Sequence, residues 1–293
     1  MMRVFCTSFF ILCFISVILI LAFSYNLSYI EPLNFPNHNV TPRSISELRI
    51  DNDAYKIGNS NDISNFERDK WQLIWHDEFE GKLLDHSKWL TEDWAAEKNN
   101  ELQYYSPENV KVENGFLKLI SKKEKFKGRD YTSAAVHTKD KFDFLYGKVE
   151  MRAKLPDGQG IFPAFWMLTN KENIWLPEID IMEMLGHRPQ EVWMVLHWLE
   201  KDGTLKKDAG SYKGEDFSKG FHIFSVEWTP DSITWFIDDK KRFKTNAYIP
   251  SERMYLYLNT AVGGNWPGSP DHKTVFPKNF EIDYVRVFKQ KSN

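Results

Sequence analysis

The stretch EIDIMEMLG, residues 178–186, sets three carboxylates, Glu178, Asp180 and Glu183, among Ile179, Ile181, Met182, Met184 and Leu185. A carboxylate is costly to desolvate, so three of them on an apolar backing need a reason. On a helix the offsets 0, +2 and +5 fall at about 0°, 200° and 140°, which puts Glu178 nearly opposite the other two. On a regular strand Glu178 and Asp180 share a face and Glu183 points away. One bulged residue near Ile181–Met182 restores the parity: all three acids then face one side, and Ile179 and Met184 face a core. Bulges are enriched beside active sites because they re-aim side chains in this way. The outer α-carbons are then about 13 Å apart. Two glutamates leaning inward can close that to the separation of about 5–5.5 Å that retaining glycosidases use, against about 6.5–9.5 Å in inverting ones. A solvated acidic strand face and a hard-cation site are the other readings of a bare E-x-D-x-x-E. The stretch lacks the alternating Asp/Asn/Gly loop of a calcium site.

Outward from the acids, short strand patterns separated by turns run from about residue 68 to the end. LYGKVEMRAKLP (145–156) alternates Val149, Met151, Ala153 and Leu155 with Lys148, Glu150, Arg152 and Lys154. ENVKVENGFLKLISKK (108–123) reads as a hairpin turning at Asn114-Gly115. FHIFSVEWTPDSITWFIDDKKRF (221–243) gives two strands around Thr229–Ser232, then a second turn at Asp238-Asp239. MYLYLNTAV (254–262) separates Met254, Leu256 and Leu258 from Tyr255, Tyr257 and Asn259. Many short strands at regular spacing, with no long helical pattern, predict an all-β sandwich or barrel.

The rest of the chain bounds the setting. A net charge of −3 gives no footprint for a nucleic-acid partner. Eleven Trp suit both a large β core and a carbohydrate cleft. Residues 4–23 are almost wholly apolar behind Arg3, and Ala22-Phe23-Ser24 offers small residues for cleavage. Residues 1–24 are thus read as a signal peptide or a signal-anchor, with the remainder facing outward in either case. Cys6 and Cys13 both fall in that segment, so the rest of the chain holds no disulfide. Residues 25–67, polar and rich in Asn, Ser, Asp and Pro, read as a flexible linker or stalk, with sequons at Asn26 and Asn39.

In order along the chain come NNELQYYSPENVKVENGFL (99–117), GQGIFPAFWML (158–168), the acidic stretch, FHIFSVEWTPDSITWFID (221–238), AVGGNWPG (261–268) and FEIDYVRVF (280–288). This ordered set resembles the family 16 glycoside hydrolases of laminarinase type, the endo-1,3-β-glucanases, over nearly all of residues 68–290. The resemblance implies a concanavalin A-like β-jelly-roll, two curved antiparallel sheets with a substrate cleft on the concave face. It implies Glu178 as nucleophile, Asp180 as its assistant and Glu183 as acid/base in a retaining double displacement, with no cofactor for catalysis. Such chemistry needs an ionised Glu178 and a protonated Glu183, and negative neighbours raise the pKa of Glu183.

Further site residues are expected around the acids. Trp166, Trp175 and Trp266 are candidate sugar-stacking platforms, with a core role as the alternative. His197 stands on what should be the adjoining strand. Asn100 and Glu101 match the Asn-Glu of the family's cleft motif, and Arg152 is a candidate ligand for a carboxylate or a sugar. The resemblance also implies a structural calcium site, non-catalytic, at Glu78, Gly115 and Asp283.

The expected partner is a β-1,3-glucan polysaccharide met by a monomer, secreted or held by a single N-terminal membrane anchor. A non-catalytic β-glucan recognition protein of the same fold is the reading from another class, although such proteins typically lose the catalytic glutamates. Hydrolysis or transglycosylation of another polymer, mixed-linkage glucan, agarose or carrageenan, is the variant within the enzyme class.

Overall fold

The computed structural model describes residues 70–171 and 175–291. The N-terminal apolar segment, the linker, both cysteines and both sequons lie outside the described residues. All described residues but Lys171 fall in one folding unit, whose strands run from Trp71 to Gln290.

Two antiparallel sheets face each other, as the strand patterns predict. One orders its strands Leu205–Lys213, Glu191–Leu199, Glu178–Met184, Ile161–Thr169, Met254–Val262, Ala135–His137 and Leu90–Thr91. The other orders Lys240–Thr245, Ile233–Ile237, His222–Trp228, Gly147–Lys154, Lys278–Gln290, Phe116–Ser121 and Val110–Glu113, with Trp71–Asp77 also paired to Lys278–Gln290. The long-range returns between non-consecutive strands give the jelly-roll sandwich. Its core is the layer between the sheets, where Val149, Met151 and Ala153 meet Ile179, Met184, Met194, Leu256 and Leu258. Two-residue turns behave as their residues require. Asn114-Gly115 and Asp238-Asp239 all take positive φ, the type I′ geometry that matches strand twist.

A third, small sheet of Trp94–Ala95, Gln103–Tyr105 and Tyr131–Ser133 lies over part of the seven-stranded sheet's outer face. Its Tyr105, with Ala96, forms a second apolar cluster with Ala135, Leu168, Tyr255 and Tyr257. This cover is why all nine residues of Met254–Val262 are buried, although only alternate ones face the main core. The acids lie on the same outer face, on the strand two places away from Met254–Val262.

Candidate active site

The acidic strand is Glu178–Met184, and it is bulged where the parity argument requires. Toward Ile161–Thr169, Asp180 pairs with Trp166 and Met182 with Phe165, so Ile181 has no partner. Toward Glu191–Leu199, Asp180 pairs with Val195 and Glu183 with Trp193, so Ile181 and Met182 together oppose Met194. Both of these consecutive residues enter the core with Ile179 and Met184, and Glu178, Asp180 and Glu183 are left on the other face. A carbonyl at the bulge is satisfied from across the core: the Trp235 indole donates to Asp180 O at 2.8 Å. Gly186 ends the stretch against Gly158. A Cβ there would meet Gly158 O at 2.5 Å, and the two backbones bond at 2.8 Å.

Direct pairings align the outer-face side chains in rows across the strands. Leu168, Glu178, His197 and Lys207 form one row; Tyr257, Trp166, Asp180, Val195 and Ala209 the next; Asn259, Ala164, Glu183, Trp193 and Ser211 the third. Donor atoms of Glu178, Asp180 and His197 lie within 4.8 Å of one another. His197 Nε2 is 3.4 Å from Asp180 Oδ2, but Oδ2 has no hydrogen-bond partner among the described residues. Burial, with the charge of Lys207 adding to it, holds the His197 imidazole below its usual range, which favours its neutral form.

The three acids resist ionising together. Burial first, and then the Glu183 charge, push Glu178 up to about 8, against a hydrogen bond from Asp180 and the charge of Lys98. Burial, then the charge and hydrogen bond of Glu178, hold Asp180 well above the carboxylate range. Burial, then Asp180, does the same to Glu183, against Lys207. Glu178 alone of the three has a hydrogen bond that favours its ionised form. When one of the three ionises, that hydrogen bond selects Glu178, whose carboxylate then accepts from an Asp180 hydroxyl beside a protonated Glu183.

Aromatic residues flank the acids. Trp166 packs on Tyr257 with ring centroids 4.7 Å apart and donates its indole N–H to Asn259 Oδ1 at 2.8 Å. Trp266, 43% exposed, meets Phe162 and Trp193 edge-on at 5.3 and 5.8 Å. Trp175 is 46% exposed, three residues before Glu178. Asn100 and Glu101 stand opposite the AVGGNWPG loop: Asn100 Nδ2 donates to Asn265 Oδ1 at 2.7 Å, and Glu101 forms an isolated bridge with Gly263. The Glu101 carboxylate is raised by burial and accepts from Gln103 Nε2 at 2.6 Å. Sequence reasoning missed Trp193 and Lys207. The alternation of VWMVLHW carried the signal for Trp193, which shares a face with His197 two strand periods on.

One expectation needs correction. Arg152 lies on Gly147–Lys154, in the eight-stranded sheet, on the side turned away from the core and so opposite to the acids. It donates to Asp283 Oδ2 at 2.6 Å and its guanidinium lies over Phe221, so it is a structural residue. Its alternation showed which residues share a face, not which sheet they join. The residues expected to hold calcium have other partners here. Asp283 sits at a register shift between Ile282 and Tyr284, and Glu78 accepts two hydrogen bonds from Arg286, at 3.0 and 2.8 Å. Gly115 is the second residue of the hairpin turn. Both carboxylates already face a guanidinium, so as arranged they do not fit a calcium ligand set, which draws on free oxygen donors.

A bulged strand with three carboxyl groups gathered on one face among aromatic side chains is the site of a glycoside hydrolase. A family model described as Glycosyl hydrolases family 16 matches residues 96–286. A second, described as Beta-glucan synthesis-associated protein SKN1/KRE6/Sbg1, matches residues 1–173. The chain is 35% identical over 251 residues to a beta-glucanase of Rhodothermus marinus, across 75% of this chain and 85% of that protein. It is 36% identical over 262 residues to glucan endo-1,3-beta-glucosidase A1 of Niallia circulans, covering 74% of this chain and 38% of that longer protein. Among solved structures, the laminarinase catalytic domain from Thermotoga maritima, in complex with cetyltrimethylammonium bromide, matches with a TM-score of 0.70 at 39% identity, over 76% of this chain and 100% of that one. The chain belongs to the family 16 glycosyl hydrolases.

Proposed function

We propose that this protein is a retaining endo-β-1,3-glucanase acting on laminarin-like glucans. The observation that carries the reading is the bulge, which gathers Glu178, Asp180 and Glu183 on one face with Asp180 hydrogen-bonded to Glu178. In this reading the ionised Glu178 attacks the anomeric carbon, and Glu183 protonates the departing glycosidic oxygen. Glu183, now a carboxylate, then takes a proton from water as that water attacks the glycosyl–Glu178 ester, and the glucan leaves with its β configuration restored. Asp180 donates to Glu178 while Glu178 is charged and helps it both arrive at and leave the ester. Trp166, Trp175 and Trp266 supply sugar-facing surface, and Asn100 and Glu101 supply polar partners. The substrate follows from the names of the Niallia circulans and Thermotoga maritima relatives. The apolar run at residues 4–23 supports a reading in which the enzyme faces outward, released or anchored.

The match to a beta-glucan synthesis-associated family over residues 1–173 favours one second reading. The same glycosyl–Glu178 ester, met by a sugar hydroxyl in place of water, transfers the chain and remodels the polymer. Incubation of the protein with laminarin, lichenan, agarose and carrageenan, followed by reducing-end counts and product sizing, tests both. New reducing ends from laminarin support hydrolysis. Products longer than the starting chains support transfer. Binding to laminarin with no cleavage of any of the four would make the protein a recognition module and overturn the enzymatic reading.

A further inference from the structure

Trp94 is one of the exposed large apolar residues of the described chain, at 37% exposure, and it precedes the stretch matched by the family 16 model. It is nevertheless built into the site. Its indole N–H donates to Glu92 Oε2 at 2.8 Å. The other Glu92 oxygen accepts from Tyr257 OH at 3.0 Å and stands 3.5 Å from His137 Nε2. Tyr257 packs on Trp166, and Trp166 donates to Asn259. Asn259 Nδ2 donates to Tyr105 OH at 3.0 Å, and the Tyr105 ring returns to Trp94 at 5.6 Å. These contacts close a circuit of six residues in which each indole and phenol has a fixed polar partner.

We propose that Trp94 and Glu92 form a distal sugar-binding subsite, beyond Trp166 and Tyr257 as counted from the acids. The inference rests on the glucanase reading and extends its cleft. Continuity with the cleft is the first argument: Tyr257 pairs with Trp166, which pairs with Asp180, and His137 pairs with both Tyr257 and Leu90, two residues before Glu92. Chemistry is the second. A pyranose offers a C–H face and a rim of hydroxyls. Here an indole fixed by its own N–H presents an open face beside a part-exposed carboxylate with lone pairs to spare. Fixing the ring before the sugar arrives lowers the ordering cost of binding. The distance is the third. Three strand spacings, about 14 Å, separate the acidic strand from Ala135–His137, so the subsite serves a sugar more than one unit from the scissile bond.

The test is chain-length discrimination. For wild type, Trp94→Ala and Trp94→Phe, kcat/KM is measured on β-1,3-gluco-oligosaccharides of graded length, and retention of each protein is measured in native gels containing laminarin. Trp94→Ala should lower the ratio of kcat/KM on the longest to the shortest cleaved chain about five- to tenfold. It should also weaken gel retention, with Trp94→Phe between it and wild type. An unchanged ratio overturns the inference, whether rates stay at wild type or fall equally at every length. If the wild type binds laminarin without cutting it, the glucanase reading has failed and the gel alone decides: equal retention of Trp94→Ala removes the subsite. A wild type that neither binds nor cuts removes both.

Discussion

The Trp235 indole, fully buried on the eight-stranded sheet, donates to the Asp180 carbonyl oxygen at 2.8 Å. One sheet thereby hydrogen-bonds a backbone group beside the bulge of the other. Trp235→Phe keeps a ring but orphans that carbonyl, at a cost of about 1–3 kcal/mol. The expected outcome is a lower Tm together with a fall in kcat larger than the change in KM, because the bulge aims the acids. A variant with reduced Tm and unaltered kcat would show that the bulge holds without the indole.

Asp180 hydrogen-bonds Glu178 and so favours its ionised form. Asp180→Ala removes that donor. The Glu178 pKa then rises, and the acid limb of the pH–rate profile moves to higher pH, with kcat down about a hundredfold. A limb that stays in place or moves to lower pH contradicts the donor role of Asp180.

Glu178 rises in the folded protein from its ordinary value of 4.5 to about 8, chiefly by burial. The sign follows from proton counting. Between these two values the folded state holds the proton more tightly than the unfolded chain, so stability is full below pH 4.5 and is lost as pH rises through about 8. Glu178→Gln, which cannot ionise, should match wild type in Tm at pH 4 and exceed it by a growing margin up to about pH 8. A margin that is constant with pH would mean Glu178 does not carry the shift.

The carboxylate oxygens of Glu78 and Asp283 accept from Arg286 and Arg152. EDTA should therefore leave the Tm unchanged, and Arg286→Ala should lower it, since a half-buried carboxylate loses its bidentate partner. A Tm that falls with EDTA and recovers with calcium would show that a cation outcompetes the arginines.

Much of the site was legible because parity is a strict constraint. Three acids at 0, +2 and +5 among core residues admit one bulge position, and Ile181–Met182 is where the ladder breaks. The hairpin at Asn114-Gly115 was legible for the same kind of reason, since its residues tolerate positive φ. Arg152 was not, because alternation fixes a face of a strand and says nothing about the sheet it joins. Trp94 was hidden for another reason. Its strand is two residues long, and its ring partner Tyr105 reaches it only through the small third sheet, whose pairings no local pattern encodes. The Trp235 bond was equally invisible, being a contact between sheets 55 residues apart in sequence.

The assignment of Glu178 and Glu183 is tested most directly by the anomeric configuration of the azide product from Glu178→Ala. Removal of the nucleophile opens the face from which azide can attack while Glu183 still protonates the leaving oxygen. The account predicts near-complete loss of hydrolysis in the absence of azide, and with it an α-glycosyl azide, opposite to the β configuration of the wild-type product. A β-glycosyl azide, or full hydrolysis without azide, would place the nucleophile on another residue.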